Sequence, residues 1–278
     1  MPPPPPDGGF NATLAQAVSY FAERGYQSED DLALWLSRLR QAAEASMLGE
    51  RETEEQIRAS LGGVYERLIG RGKIAERVPG VGLWTIDRVR PASRAELDRR
   101  ILAAANQIRL NKAAAVEKTL QRFSGWSTSI PPGGGAAIDR REVKADIGKS
   151  VAQVRYEARR VAVDQGAKLI ANVAHIVAMG DGAIAAIWHD RGEHDKNYDA
   201  RKEHLARSGK VYGLRDSWAA QDGLMKRGSA GYLDEITQPA EEPYCSCTVT
   251  YLTSLRDLPA EMLTEKGRAT LAPRKEAA

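Results

Sequence analysis

Apolar side chains at Leu97, Ile101, Ala105, Ile108, Val116, Leu120 and Phe123 recur at the spacing of one helix face. A stripe sustained over about seven turns of 3.6 residues commits this stretch to a long helix with one buried side. Ser93 and Glu96 stand three apart just ahead of it, the pattern of a capping box, so the helix is expected to start there and run towards Phe123. The stripe is core packing and carries no cofactor role. Composition agrees: the chain is 42% hydrophobic but only 6% aromatic, so its interior should be Ala, Leu, Val and Ile on helices.

Similar signals come before and after. Asn11 can cap a helix over 12–24 that Gly25 ends. Ser28 with Asp31 opens another to about Leu48, with Leu32, Trp35, Leu36 and Leu39 on one face. Thr53 with Gln56 opens a third, weakened in its middle by Gly62 and Gly63. Residues 78–89 (VPGVGLWTIDRV) break the helical period and read as a turn followed by a short strand or extended loop. Asp139 begins a helical region to about Met179, with interruptions expected near Gly148 or Gly166. Three short strands follow at 183–188, 210–214 and 247–252, then a last short helix at 260–266. The expected class is α+β, predominantly helical: an N-terminal helical region, then a long helix followed by a small irregular β module.

Residues 125–135 (GWSTSIPPGGG) join Pro-Pro to Gly-Gly-Gly and read as the clearest linker. The expected organisation is a disordered Pro-rich arm at 1–10, a helical domain at 11–124, a linker at 125–138, a second domain at 139–254 and a tail at 255–278. The arm (MPPPPPDGG) can form neither helix nor ladder. It is either an inert terminus or a strap that orders against a neighbouring subunit. No period of 20–50 residues is visible, which argues against a solenoid.

Forty basic residues against 37 acidic leave a net charge of +3. Neither side of Gly135 is markedly basic, which argues against a dedicated DNA-binding protein held by many phosphate contacts. No apolar run reaches the roughly 18 residues of a membrane span, and no signal-peptide pattern opens the chain, so a cytosol-like compartment is expected. Phosphate-loop, nucleophile-elbow and His-Glu-x-x-His motifs are absent.

Chemistry concentrates between Trp188 and Cys247, which holds three of the four histidines and both cysteines. In an extended segment, residues two apart share a face, so Cys245 and Cys247 would present both thiols to one point if Tyr244 to Thr250 were a strand. His204 with His189 or His194 would then complete a Cys₂His₂ set, a zinc staple for a loop-rich unit with little core. Two packed thiols and locally bonded histidines are the plainer alternative. An enzymatic reading would use His204 as base, Arg201 as cation, Asp190 as orienting acid and Tyr212. Against it, Asp190 and Arg201 can simply form a structural ion pair.

The order of these residues resembles a known family. An Arg-rich helix (Arg155, Arg159, Arg160) leads through Asn172 to Trp188 and Asp190. Arg201-x-x-His204, Gly209-Lys-Val-Tyr212 and the terminal Cys245-x-Cys247 follow. This arrangement, over roughly 143–252, is similar to the phage Mu protein F-like family of head morphogenesis (minor head) proteins. Tyr244 and Ser246 stand where that family often has Asn and Arg, and 192–200 is longer or more polar than its pattern. The resemblance implies a virion protein of a tailed phage, in the host cytoplasm during assembly and then in the head or head–tail region. Its partners would be the portal protein and the major capsid or scaffold protein, with contact to phage DNA, no membrane and a homo-oligomeric state. It also implies that His204, Cys245 and Cys247 are candidate zinc ligands; His194 is the fourth proposed from this sequence. Two other classes stay open: a His/Arg-centred nuclease or ADP-ribosyl-type toxin enzyme, and a packaging accessory protein that binds DNA nonspecifically.

Overall fold

A computed structural model describes residues 9–135, 137–190 and 202–272. The fold is α+β and predominantly helical, as expected, with a small antiparallel sheet late in the chain. The helices are α1 (Gly9–Arg24), α2 (Glu29–Ala45), α3 (Glu50–Tyr65), α4 (Leu83–Thr128), α5 (Arg140–Gly180), α6 (Lys202–Arg207), α7 (Trp218–Gln221) and α8 (Glu265–Leu271). The strands are β1 (Ala185–His189), β2 (Val211–Gly213) and β3 (Thr248–Leu252). Two compact units emerge: residues up to Ile57 with Ala104–Val161, and Arg58–Ala103 with Ala162 onwards. Helices α3, α4 and α5 contribute residues to both.

The first unit closes on an aromatic-anchored core. Phe10, Leu14, Val18 and Phe21 of α1 meet Trp35 and Leu39 of α2 and Val116, Leu120 and Phe123 of α4. Phe21 and Phe123 stack edge to face with centroids 5.6 Å apart, the geometry that aromatic quadrupoles favour. Ser28 caps α2 as expected, its hydroxyl accepting the Asp31 N–H at 3.1 Å. α3 starts earlier than Thr53. The Glu52 carboxylate reaches back to the Gly49 N–H at 3.1 Å, while Thr53 lies in the first turn and its hydroxyl receives Lys112 Nζ at 2.6 Å.

The Gly/Pro stretch at 125–138 does not separate two domains, because all of Ala104–Val161 belongs to the first unit. Its backbone is docked on the end of α1: the Gly133 N–H donates to Arg24 O, Gly135 to Ala22 O, and Tyr26 to Ile130 O. Pro and Gly here shape a tight helix-to-helix turn. Gly25 makes that turn possible, with φ +73° and space for a Cβ only 1.9 Å from the Pro131 oxygen. Gly25→Ala is therefore expected to destabilise this unit by about 2–3 kcal/mol through left-handed backbone and overlap. Gly62→Ala, in open helical surface, should instead hold or raise the melting temperature; thermal unfolding followed by circular dichroism compares the two.

In the second unit α4 begins at Leu83, ten residues ahead of the Ser93 start and inside the stretch expected to be extended. Pro91 sits within the helix. Tertiary contacts override the local signals: Thr85 Oγ1 donates to Asp181 Oδ1 at 2.9 Å, and Ile86 is buried. Ser93 and Glu96 are consequently buried helix-interior residues. α5 runs unbroken past Gly148 and Gly166. At Gly148 the missing side chain admits Leu14, which a Cβ would meet at 3.2 Å.

The sheet order is β2-β1-β3, both pairs antiparallel. All three strands fall near their expected places: β1 starts two residues later and ends one later, β2 loses one residue at each end, and β3 starts one residue later. β1 is central and apolar, and its Ala185 joins Ile184, Leu224, Met225, Leu255 and Met262 in a small core. The last helix, α8, starts at Glu265, with the Thr264 hydroxyl accepting the Gly267 N–H at 3.1 Å. No helix among the described residues is long and apolar enough to cross a membrane.

Candidate metal centre

The open ends of the sheet bring the site together. β1 ends at His189 beside fully buried Trp188. On one side, the Trp188 carbonyl accepts the Gly209 N–H at 2.8 Å, which ties down the segment carrying α6 and His204. Gly209 turns back with φ +77°. On the other side β3 begins at Thr248, directly after Cys245 and Cys247.

The cysteine segment is not the strand extension expected from Tyr244 onwards. Tyr244 adopts a left-handed conformation, φ +60°, which costs energy for a side chain with a Cβ. The buried Asp164 carboxylate holds it there, accepting the Tyr244 N–H at 2.8 Å and pairing with Lys168 at 2.7 Å. The kink turns both thiols onto His204.

Cys245 Sγ and Cys247 Sγ each lie 3.5 Å from His204 Nδ1, and all three side chains are buried. The three donor atoms fall within 4.8 Å of one another, a group that could hold a metal ion. The spacing fits one: zinc–sulfur and zinc–nitrogen bonds of about 2.3 and 2.05 Å at a tetrahedral angle place S and N about 3.5–3.6 Å apart. Trp188 stacks edge-on against the imidazole at 5.6 Å, and Tyr212 against Trp188 at 6.4 Å. His204 Nε2 is buried without a hydrogen bond among the described residues and points to Glu242 Oε2 at 3.9 Å. A metal-bound histidine commonly directs its second nitrogen at a carboxylate in this way. The mutual hydrogen bond of the two thiols pulls Cys245 below the usual thiol range, while the same bond and burial push Cys247 up; it is the thiolate form that binds metal.

Of the sequence-predicted ligands, His204, Cys245 and Cys247 converge. His189 does not join them: its Nε2 meets Thr250 Oγ1 at 3.0 Å across the sheet. His194 and Arg201 lie outside the described residues. Asp190 is adjacent, with Oδ1 at 3.8 Å from Cys247 Sγ. Glu242 and the Asp164–Tyr244 clamp escaped the sequence reading.

Beside this centre a cavity of about 560 Å³ opens against α5, walled by Ala167, Ala171 and Ala174, the backbone around Cys245, and His175 with Tyr251. His175 Nδ1 lies 3.3 Å from the Tyr251 hydroxyl, and burial pushes its pKa down. No protein-family model, curated protein or solved structure matches this chain.

Proposed function

We propose that this chain is a minor head protein of a tailed bacteriophage, acting with the portal and capsid during head assembly or DNA delivery. In this reading zinc bound by His204, Cys245 and Cys247 pins its C-terminal module as an attachment surface. One observation carries the reading. Of the described residues that carry the resemblance, Trp188, Asp190, His204, Tyr212, Cys245 and Cys247 are scattered over nearly sixty positions yet gather about one point; Arg155, Arg159 and Arg160 belong to the first unit, and Asn172 donates to Glu96 instead. A burial of 5% exposure for His204 favours a ligand over a general base, which must reach a substrate proton. When bound, the metal would supply a structural crosslink between the α6 and β3 segments.

The test is co-purification with the portal protein and elemental analysis of the same fraction. The expected result is co-migration with about one zinc per chain, the metal being lost in Cys245→Ser. A chain that ignores the portal and turns over a nucleotide substrate through His204 would replace this reading with the enzymatic one.

A further inference from the structure

We infer that Asp190 is the fourth ligand of the metal centre, completing a Cys₂HisAsp set from within the chain. The inference rests on the metal reading above and specifies its chemistry.

Strand register places the residue. β1 and β3 pair from Ala185 with Leu252 down to His189 with Thr248. One further step along both chains sets Asp190 opposite Cys247. On the other edge of β1, the Trp188 N–H donates to Lys210 O at 3.0 Å, and the Asp190 N–H donates to Ser208 Oγ at 3.3 Å. Ser208 directly follows α6, the helix that carries His204. Asp190 thus leaves the central strand between the two flanking segments that supply the three other donors. A residue at that point needs no loop movement to reach a shared ion.

The distance agrees. Asp190 Oδ1 is 3.8 Å from Cys247 Sγ. A zinc–oxygen bond of about 2.1 Å and a zinc–sulfur bond of about 2.3 Å at a tetrahedral angle give an edge of about 3.6 Å. The carboxylate stands outside the tight group of three donors, so ligation requires its side chain to rotate towards them. Electrostatics supply the reason to rotate. Next to thiolates a carboxylate is repelled, and a divalent cation between them reverses the sign of that interaction.

The donor set has a consequence for metal choice. Two thiolates and one imidazole suit zinc and copper(I) alike, whereas a hard carboxylate oxygen favours the divalent ion. Asp190 is then the residue that selects zinc.

Cobalt(II) in the purified full chain provides the measurement, with zinc competition against a chelator alongside. Asp190→Asn is expected to weaken zinc retention by more than the roughly 10–100-fold that loss of an outer partner costs. It should also shift the cobalt ligand-field bands away from the wild-type pattern. Asp190→Cys should keep the metal and raise thiolate-to-cobalt charge-transfer absorption about 1.5-fold, as three thiolates replace two. Peptide-resolved hydrogen exchange on the same sample separates that gain from cobalt uptake by an unfolded chain. Wild-type and Asp190→Asn proteins with the same affinity and spectrum would overturn the assignment and leave the three-donor centre standing. Loss of metal in His194→Ala, with Asp190→Cys charge transfer unchanged, would transfer the role to His194. A wild-type chain that takes up neither cobalt nor zinc would remove the metal reading itself.

Discussion

With zinc held by His204, Cys245 and Cys247 as proposed, a chelator is expected to unfold the sheet module, 183–190 with 202–272, while the helices of the first unit stay folded. Apparent binding free energies of structural zinc are about 10–16 kcal/mol, against a total domain stability of about 5–15 kcal/mol. The module has little else to rely on. Its sheet consists of two five-residue strands and one of three, and its apolar cluster is built around Ile184, Leu224, Met225, Leu255 and Met262. Without a cation, the two thiols and His204 Nδ1 join the α6 and β3 segments through weak sulfur contacts at 3.5 Å. The first unit has its own core, with Phe21, Trp35 and Phe123 packed in it, and contains none of the ligands. Hydrogen exchange resolved by peptide is the measurement. Amides of β1 and β3 should lose protection on chelation while those of α1 and α2 do not. Acid should act in the same direction, because thiols and imidazole must shed their protons to bind metal, so affinity falls as pH falls. Equal protection of β1 and β3 with and without chelator would show that the sheet stands on its own packing.

The response is local because the ligands come from two segments that only the sheet register brings together. The strands were legible in advance, but their pairing and register were not. The three strands could be located because apolar or β-branched runs such as AIAAIW and TVTYL lie between turns and polar loops. The α2 start was legible because its cap is a side chain three residues from the N–H it accepts. The α4 start was not: Gly80, Gly82 and Pro91 are local breakers, and what overrides them is contact with Asp181, some ninety positions away. The domain boundary failed for the same reason. Pro-Pro and Gly-Gly-Gly report backbone geometry and say nothing of which surfaces then pack, and the units here are assembled from non-adjacent segments.

At the site, residue type sufficed for His204, Cys245 and Cys247, because two thiols and few imidazoles leave little choice. Carboxylates gave no such signal. With 37 acidic residues in the chain, nothing in the sequence distinguishes Glu242 beside His204 from a solvated glutamate. His189 shows the opposite error: its residue type was right, but the alternation of β1 sends its ring to Thr250.

Glu96 shows what sequence context can conceal, and its removal should be the most damaging single change away from the metal. Read locally it is the closing residue of a capping box. In the fold its buried carboxylate joins α4 to α5, receiving Arg100 Nε at 2.7 Å, Arg99 Nε at 2.7 Å and Asn172 Nδ2 at 2.8 Å. Burial alone would raise its pKa, but the hydrogen bonds from Arg100, Asn172 and Arg99 outweigh that and lower it. Glu96→Ala leaves the half-buried Arg100 and the Asn172 amide without their acceptor, for which about 3–5 kcal/mol is the usual cost of breaking a buried pair. Glu96→Gln keeps an acceptor oxygen and should lose less. The pH dependence has a definite sign. A carboxylate whose folded pKa is depressed stabilises fully above its ordinary value near 4.5 and loses that contribution as pH falls through the folded value. Denaturant unfolding at neutral pH and in acid should therefore find wild type and Glu96→Gln far apart in the first condition and converging in the second. A constant gap at both would mean that the charge on Glu96 contributes nothing and that its packing alone holds the two helices.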